Sequence, residues 1–393
     1  MPADEKMNVD ERYKYLRLMH PSYEAAVRRK RGELLDQAQA ITGLNRKYLC
    51  YLLNRSGPIR KPRTRQRGPH YSGHALHAVA VVAEALDWIC AERLKPVLRQ
   101  TAEHLAGFGE LHLTPEVGEE LDRISISTLY RMIKRLRQDQ HRLPQRRGRP
   151  PTPGLASQIP ATRLAWDLQE PGHFELDTVH HCGPETRGDY LCTVQWIDVA
   201  TGWSERVAVY GRSHQEMIRA FGIVISRCPF PILEIHTDNG SEFLNRPLLR
   251  FFGDRVRGVK LTRSRPWQKN DNRFVEQKNH TLVRAYLGHI RLDTREQCRL
   301  LNQIYHACWV YYNLFQPVLR QETKCYHRTE EGVLHLQRTH DVACTPHQRV
   351  LSTGVLSAHA VDDLAAIYEI TNPLALRKEI QAMLDGLFQI ACH

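Results

Sequence analysis

The sequence predicts a multidomain protein with all-α units in front, an α/β core with a mixed sheet flanked by helices, and a mostly helical tail. Three observations predict it. Apolar residues recur at helical spacing through the first 140 residues and again after about residue 345. Short runs that read as strands are confined to the middle, where they are interleaved with amphipathic stretches. The charge is lopsided: residues 1–150 hold 28 Lys and Arg against 17 Asp and Glu, or +11 of the net +12. A basic front ahead of a nearly neutral rest suggests a polyanion-binding region attached to a different working part.

The front begins with a helical unit over 1–54. Glu33–Ala40 reads as helix, Ile41–Leu44 as a glycine-containing turn, and Arg46–Leu53 as a second helix with Asn45 as N-cap. Leu49, Leu52 and Leu53 supply the inner side; Arg46, Lys47 and Tyr48 point outward. This is the pattern of a helix-turn-helix with a basic recognition helix, and a plain helical hairpin is the other reading. Residues 55–70 form a linker. Arg60, Lys61, Arg63, Arg65 and Arg67 are interrupted by Pro58, Pro62, Gly68 and Pro69, with no acid among them. Such a segment should be extended and able to follow phosphates.

A second helical unit covers 71–140. Helices are expected over Ala75–Leu86, over Pro96–Leu105, and from a cap at Ser127. The last would bury Leu129, Met132, Ile133 and Leu136. Arg131, Lys134, Arg135 and Arg137 fall elsewhere on its surface, which suggests a second recognition helix. The linker 141–163 contains Arg146-Arg147-Gly148-Arg149-Pro150-Pro151. Its Arg-Gly-Arg-Pro resembles the AT-hook, which lies in the narrow AT minor groove; plain phosphate contact by Arg147 and Arg149 is the more ordinary reading.

The core, 164–317, carries three acid-centred motifs. Asp177 follows Phe174-Glu175-Leu176, whose alternation places it at the end of a short strand. Asp238 ends a buried strand, Pro231–Thr237, before the Asn239-Gly240 turn. Glu276 lies in a helical stretch whose apolar side is Val275, Leu282, Val283 and Tyr286. Strands are also expected over Asp189–Val199, Trp203–Tyr210 and Val259–Thr262. Helices are expected over Ser213–Cys228, from about Phe274, and over Arg295–Tyr312. If Asp177, Asp238 and Glu276 converge, they form an anionic all-oxygen site that suits magnesium or manganese, not zinc. Two such ions can activate a nucleophile and stabilise a leaving oxygen in phosphodiester chemistry. Asp189, Asp198 and Asp271 read as structural turn residues, and Ser241 as a helix cap. His180-His181-Cys182 does not read as a zinc site, since neighbours on a strand face opposite ways. Lys269, Arg273 and Lys278 surround Glu276 in sequence and suit phosphate contact; a solvated surface is the other reading. Trp267 reads equally as a packing residue or a base contact.

These motifs together identify a resemblance. Leu-Asp-Thr at 176–178, His-Thr-Asp-Asn-Gly-Ser-Glu-Phe at 236–243 and Lys-Asn-Asp-Asn-Arg-Phe-Val-Glu-Gln-Lys-Asn at 269–279 resemble the DDE transposases and retroviral-type integrases. Asp198-Val199-Ala200-Thr201-Gly202-Trp203 fits the same pattern. The resemblance covers roughly 165–317, and the flanks look like those of bacterial insertion-sequence transposases. It implies an RNase H-like catalytic core. It also implies a polynucleotidyl transferase with two magnesium or manganese ions per site, Asp177 bridging them while Asp238 and Glu276 each hold one. The partners implied are double-stranded DNA, as element ends and target, and further copies of the chain. No covalent protein–DNA intermediate and no small-molecule substrate are implied. Thirty-seven residues lie between Asp238 and Glu276, slightly more than in many members, which implies a longer loop. Two rival functions remain at this level: a domesticated DNA-binding regulator, and a nuclease of the same fold that never joins strands.

The remainder is consistent with this. No run is apolar enough for a membrane span, and the N-terminus lacks a secretory pattern. Ten scattered cysteines without a CxxC pair suggest neither a zinc module nor a disulfide framework, so a cytoplasmic location is expected. The tail, 318–393, should begin irregularly and become helical from about Thr345, with a last helix opening at Asn372-Pro373. Its sequence leaves DNA binding, subunit bridging and packing on the core equally open.

Overall fold

The computed structural model describes residues 7–54, 70–137, 168–211, 213–237, 251, 258–264, 273–328 and 334–391. The chain divides into two units, Met1–His70 and Tyr71–His393.

In the first unit, α1 (Val9–Ala25), α2 (Arg28–Thr42) and α3 (Arg46–Leu53) enclose one small core. Leu16, Met19 and Tyr23 of α1 recur at helical spacing and meet Leu35 and Ala38 of α2 and Leu49, Leu52 and Leu53 of α3. Asn8 and Glu11 close a reciprocal capping box at the start of α1. Gly43 ends α2 at φ 68°, a left-handed conformation that costs other residues about 1–2 kcal/mol. Asn45 caps α3 by accepting from the Lys47 amide, as its sequence suggested.

The second unit opens with α4 (Gly73–Ala85), α5 (Ala91–Gly107), α6 (Pro115–Arg123) and α7 (Ile126–Leu136). Two boundaries differ from expectation. Helix α5 begins at Ala91, five residues before Pro96. The proline removes one hydrogen bond in the second turn, but Leu94, Val97, Leu98 and Leu105 are all buried along one side. Helix α7 is capped by Ser125, not Ser127: the Ser125 hydroxyl accepts from the Thr128 amide. Leu129 and Ile133 are buried, while Arg131, Lys134, Arg135 and Arg137 are exposed. Helix α6 was not anticipated.

Next comes a five-stranded mixed sheet: β1 (His173–His180), β2 (Leu191–Asp198), β3 (Ser204–Tyr210), β4 (Glu234–Thr237) and β5 (Lys260–Arg263), in the order β3-β2-β1-β4-β5. Strands β1, β2 and β3 are antiparallel neighbours; β4 and β5 extend the sheet parallel to β1. Helix α8 (His214–Arg227), capped by Ser213, joins β3 to β4. On one face Phe174, Leu176 and Trp196 pack with Phe221 of α8 in a core that continues into α4–α7. On the other face Val179, Leu191 and Ile197 pack with Val275, Leu282 and Val283. The second set belongs to α9 (Arg273–Lys278), a π-helical turn over Asn279–Arg284, and α10 (Ala285–Leu287). Helix α11 (Arg295–Val310) lies on the same face and ends in a further π-helical turn, Tyr311–Phe315.

The tail departs from expectation at its start. Strands β6 (Gln321–Arg328) and β7 (Leu334–His340) form an antiparallel pair where irregular chain was expected. Its remainder is helical as anticipated: α12 (Pro346–Thr353), α13 (Ala358–Ile370) and the proline-started α14 (Pro373–Ala391). Buried polar bonds tie this end to the front of the unit. Arg377 of α14 pairs with Asp87, and from the turn after α11 the Tyr311 hydroxyl likewise donates to the Ala85 carbonyl. Boundaries drawn at 140 and 318 therefore fall inside one compact unit. No helix among the described residues is long and apolar enough to cross a membrane.

Candidate carboxylate site

Asp177 lies inside β1, not at its end. Strand β1 continues to His180 because its pairing with β2 persists to His180↔Cys192, whereas its pairing with β4 stops at Leu176↔Thr237. Asp177 is therefore the first residue of β1 beyond the described part of β4. Asp238 is bonded to Thr237 in the chain and lies outside the described residues.

Alternation along β1 turns Glu175, Asp177 and Val179 to one face, the face that carries Val275 and Val283. Two hydrogen bonds join that face to the helix above it. The Val275 amide donates to Glu175 Oε2 at 2.9 Å, and Asn279 Nδ2 donates to Asp177 Oδ2 at 2.5 Å. Asp177 Oδ1 accepts from the Thr178 amide at 2.8 Å. Glu276 follows Val275 directly and precedes Asn279 by three residues, so it shares a side of the helix with the residue that holds Asp177. Glu276 is exposed, Asp177 half-buried and Glu175 1% exposed. The helix that carries Glu276 is thus joined to the strand that carries Asp177.

A lateral polar row crosses the same face. Asp177 is paired with Gln195 on β2, and Gln195 with Arg206 on β3. Gln195 and Arg206 are buried. Arg206 donates to the Leu282 carbonyl and lies over the rings of Tyr305 and Tyr312. Its Nη2, both amide atoms of Gln195 and Asn279 Oδ1 have no hydrogen-bond partner among the described residues.

The neighbouring titratable groups are arranged structurally. Asp198, expected to be a turn residue, is buried and accepts from the Gly172 amide and from the amide and hydroxyl of Thr201. Burial pushes its carboxyl upward against those hydrogen bonds. Glu234 on β4 faces His173 on β1. Burial alone would raise Glu234, but hydrogen bonds from His173, Thr262 and Lys260 bring it down to about 2. His181 is fully buried and bonded to Thr193, which also meets Tyr305; burial, with Arg284 nearby, lowers its pKa to about 3. His180 approaches Cys192 and Cys182 bridges to Arg291, so the His180–Cys182 run is spread over separate contacts.

The expected DNA-contact residues are placed unevenly. Lys47, Arg131, Lys134 and Arg135 are exposed. Arg46 is half-exposed, pairs with Asp36 and reaches the Gly32 carbonyl. Lys278 is half-buried; burial, then the cations Arg93, Arg206 and Arg349, lower its pKa to about 8. It is therefore only partly open to a phosphate. Arg273 opens α9. Arg63, Arg65, Arg67, Arg147, Arg149, Lys269, Ser241, Trp267 and Asp271 lie outside the described residues.

Sequence reasoning missed Glu175, Asn279 and Gln195. Two of them were findable: Glu175 is two residues before Asp177 on an alternating strand, and Asn279 is one turn after Glu276. Gln195 needed the β1–β2 register. Among the described residues no group of three His, Cys, Asp or Glu side chains is placed to hold a metal ion.

No protein-family model matches the chain. The chain is 33% identical over 305 residues to the uncharacterized protein y4rM of Sinorhizobium fredii (strain NBRC 101917 / NGR234), across 77% of this chain and 86% of that protein. Among solved structures, the HTLV-2 integrase catalytic core domain, in complex with magnesium and in a dimeric form, is 22% identical, with a TM-score of 0.28. That match covers 38% of this chain and 90% of the HTLV-2 domain. The catalytic core domain of BIV integrase is 14% identical with a TM-score of 0.30, over 47% of this chain and 95% of that one.

Proposed function

We propose, for a chain that belongs to the family of the y4rM protein of Sinorhizobium fredii, the function of a DDE-type transposase with an RNase H-like core. It would bind the ends of a mobile DNA element, cut them, and join the exposed 3'-hydroxyls to target DNA. The observation that carries this reading is the bond from Asn279 to Asp177, which links the Glu276 helix to the Asp177 strand. The motif around each acid adds support, and Asp238 follows directly on the strand that pairs with β1.

The donor set fits a hard divalent cation. Asp177 and Glu276 offer only oxygen, and the unpartnered Asn279 Oδ1 is a further oxygen beside Asp177. Magnesium or manganese held by Asp177, Asp238 and Glu276 would supply the acidity that activates a water or hydroxyl and the charge that stabilises a leaving 3'-oxygen. The chain's own contribution is placement. Thr178 and Asn279 each donate to one oxygen of Asp177 and fix the plane of its carboxyl. The sheet places Asp177 through its pairing with Gln195 on β2, one residue beyond the stretch of β1 that is paired on both sides. The exposed Lys47, Arg131, Lys134 and Arg135 suit phosphate and base contacts on two DNA-binding helices. Two ends must be processed together, so several copies would act on one DNA.

The test uses purified protein and labelled duplexes from the DNA that flanks the reading frame. Magnesium-dependent nicking at one position near each end, followed by joining to an unlabelled plasmid, is expected. Binding of those ends with neither nicking nor joining, in magnesium or manganese, would contradict the reading.

A further inference from the structure

We propose that Glu175 is a positioning residue, which sets where Glu276 stands relative to Asp177. The proposal rests on the function assigned above. Glu175 and Asp177 are two residues apart on the same face of β1, so their Cα atoms are separated by about 6.6 Å along the strand. Their partners, Val275 and Asn279, are four residues apart on the helix, or about 6 Å along its axis. The spans match, and the two hydrogen bonds act as rungs between strand and helix. Glu276 lies between the rungs.

The first rung has a specific physical task. Helix α9 begins at Arg273, so the Val275 amide falls in the first turn, where no helical carbonyl is available to it. Val275 is fully buried, so water cannot serve as acceptor either. The Glu175 carboxylate takes that role at 2.9 Å. Without it the buried amide would lack this acceptor, and the first turn of the helix would lose its hydrogen bond to β1. Glu175 is itself 1% exposed, whereas Glu276 is exposed. Its task is therefore to hold a helix and not to serve as a fourth ligand.

The experiment compares full-length wild type, Glu175→Gln and Glu175→Ala. Glutamine keeps an acceptor oxygen and loses the charge; alanine loses both. Hydrogen exchange of the peptide spanning 273–287 reads the hold on the helix. Manganese titration followed by electron paramagnetic resonance reads the site. In Glu175→Ala, exchange should accelerate about tenfold, the scale of one lost buried hydrogen bond, and manganese affinity should fall by about as much. In Glu175→Gln both should stay within about threefold of wild type, because the rung survives. Unchanged exchange in the alanine variant would overturn the proposal. So would a glutamine variant that loses manganese as severely as alanine while its exchange stays normal, since charge and not position would then matter. Wild type that binds no manganese would sink the transposase reading. The exchange arm would still decide whether Glu175 holds the helix.

Discussion

Lowering the pH from 8 to 5 should destabilise the Tyr71–His393 unit by about 2 kcal/mol through His181 alone. This histidine is fully buried, and burial lowers its pKa from 6.5 to about 3. The folded state therefore holds it neutral while the unfolded chain binds a proton below pH 6.5. A depressed folded pKa gives stability that is present above the unfolded value and lost as pH falls toward the folded one. Over the full window the shift is worth roughly 5 kcal/mol, at 1.36 kcal/mol per unit. At pH 5 about 1.5 units of it have been lost, hence the 2 kcal/mol. Urea unfolding followed by tryptophan fluorescence isolates this unit, because all six tryptophans lie in it. The control is His181→Gln, which can still reach Thr193 but cannot take a proton there. Subtracting the pH 8 to pH 5 change of the variant from that of wild type cancels every other titrating group. A difference indistinguishable from zero would refute the argument.

Arg377→Ala should cost about 3–5 kcal/mol, since it strands the buried Asp87 carboxylate; a change near zero in the same urea assay would show that the pair does not tie α14 to the turn after α4. Replacing Lys134 and Arg135 with Ala should weaken terminal and random DNA alike and shrink the log–log salt slope by up to about 2. An unchanged slope would remove the exposed side of α7 from the DNA interface.

The layered order of helices, strands and helices was legible because it depends on periodicity, which burial enforces residue by residue. Phe174 and Leu176 had to share a face, and so did Leu49, Leu52 and Leu53. The acids were legible as motifs. What surrounds them was not, because it depends on register and crossing geometry. Nothing local to Gln195 says that it stands between Asp177 and Arg206. The two π-helical turns, Asn279–Arg284 and Tyr311–Phe315, were also hidden. Helix α6 had a readable signal in Thr114-Pro115, a cap followed by a helix-opening proline. Strands β6 and β7 were missed because charged and polar residues break up the alternation in Gln321–Arg328. The start of α5 was misplaced by treating Pro96 as a beginning, when burial on both sides of it carried the helix through.

The central claim is that Asp177, Asp238 and Glu276 act as one site, and Asp238→Asn with Glu276→Gln tests it most directly. Each change removes a negative charge and barely alters shape. Both variants and wild type should be compared on labelled terminal DNA, with magnesium for cleavage and joining and with calcium for binding. The account predicts that each variant binds the ends as wild type does and neither cuts nor joins them. Cleavage at the wild-type rate by either variant would take that residue out of the site and contradict the account.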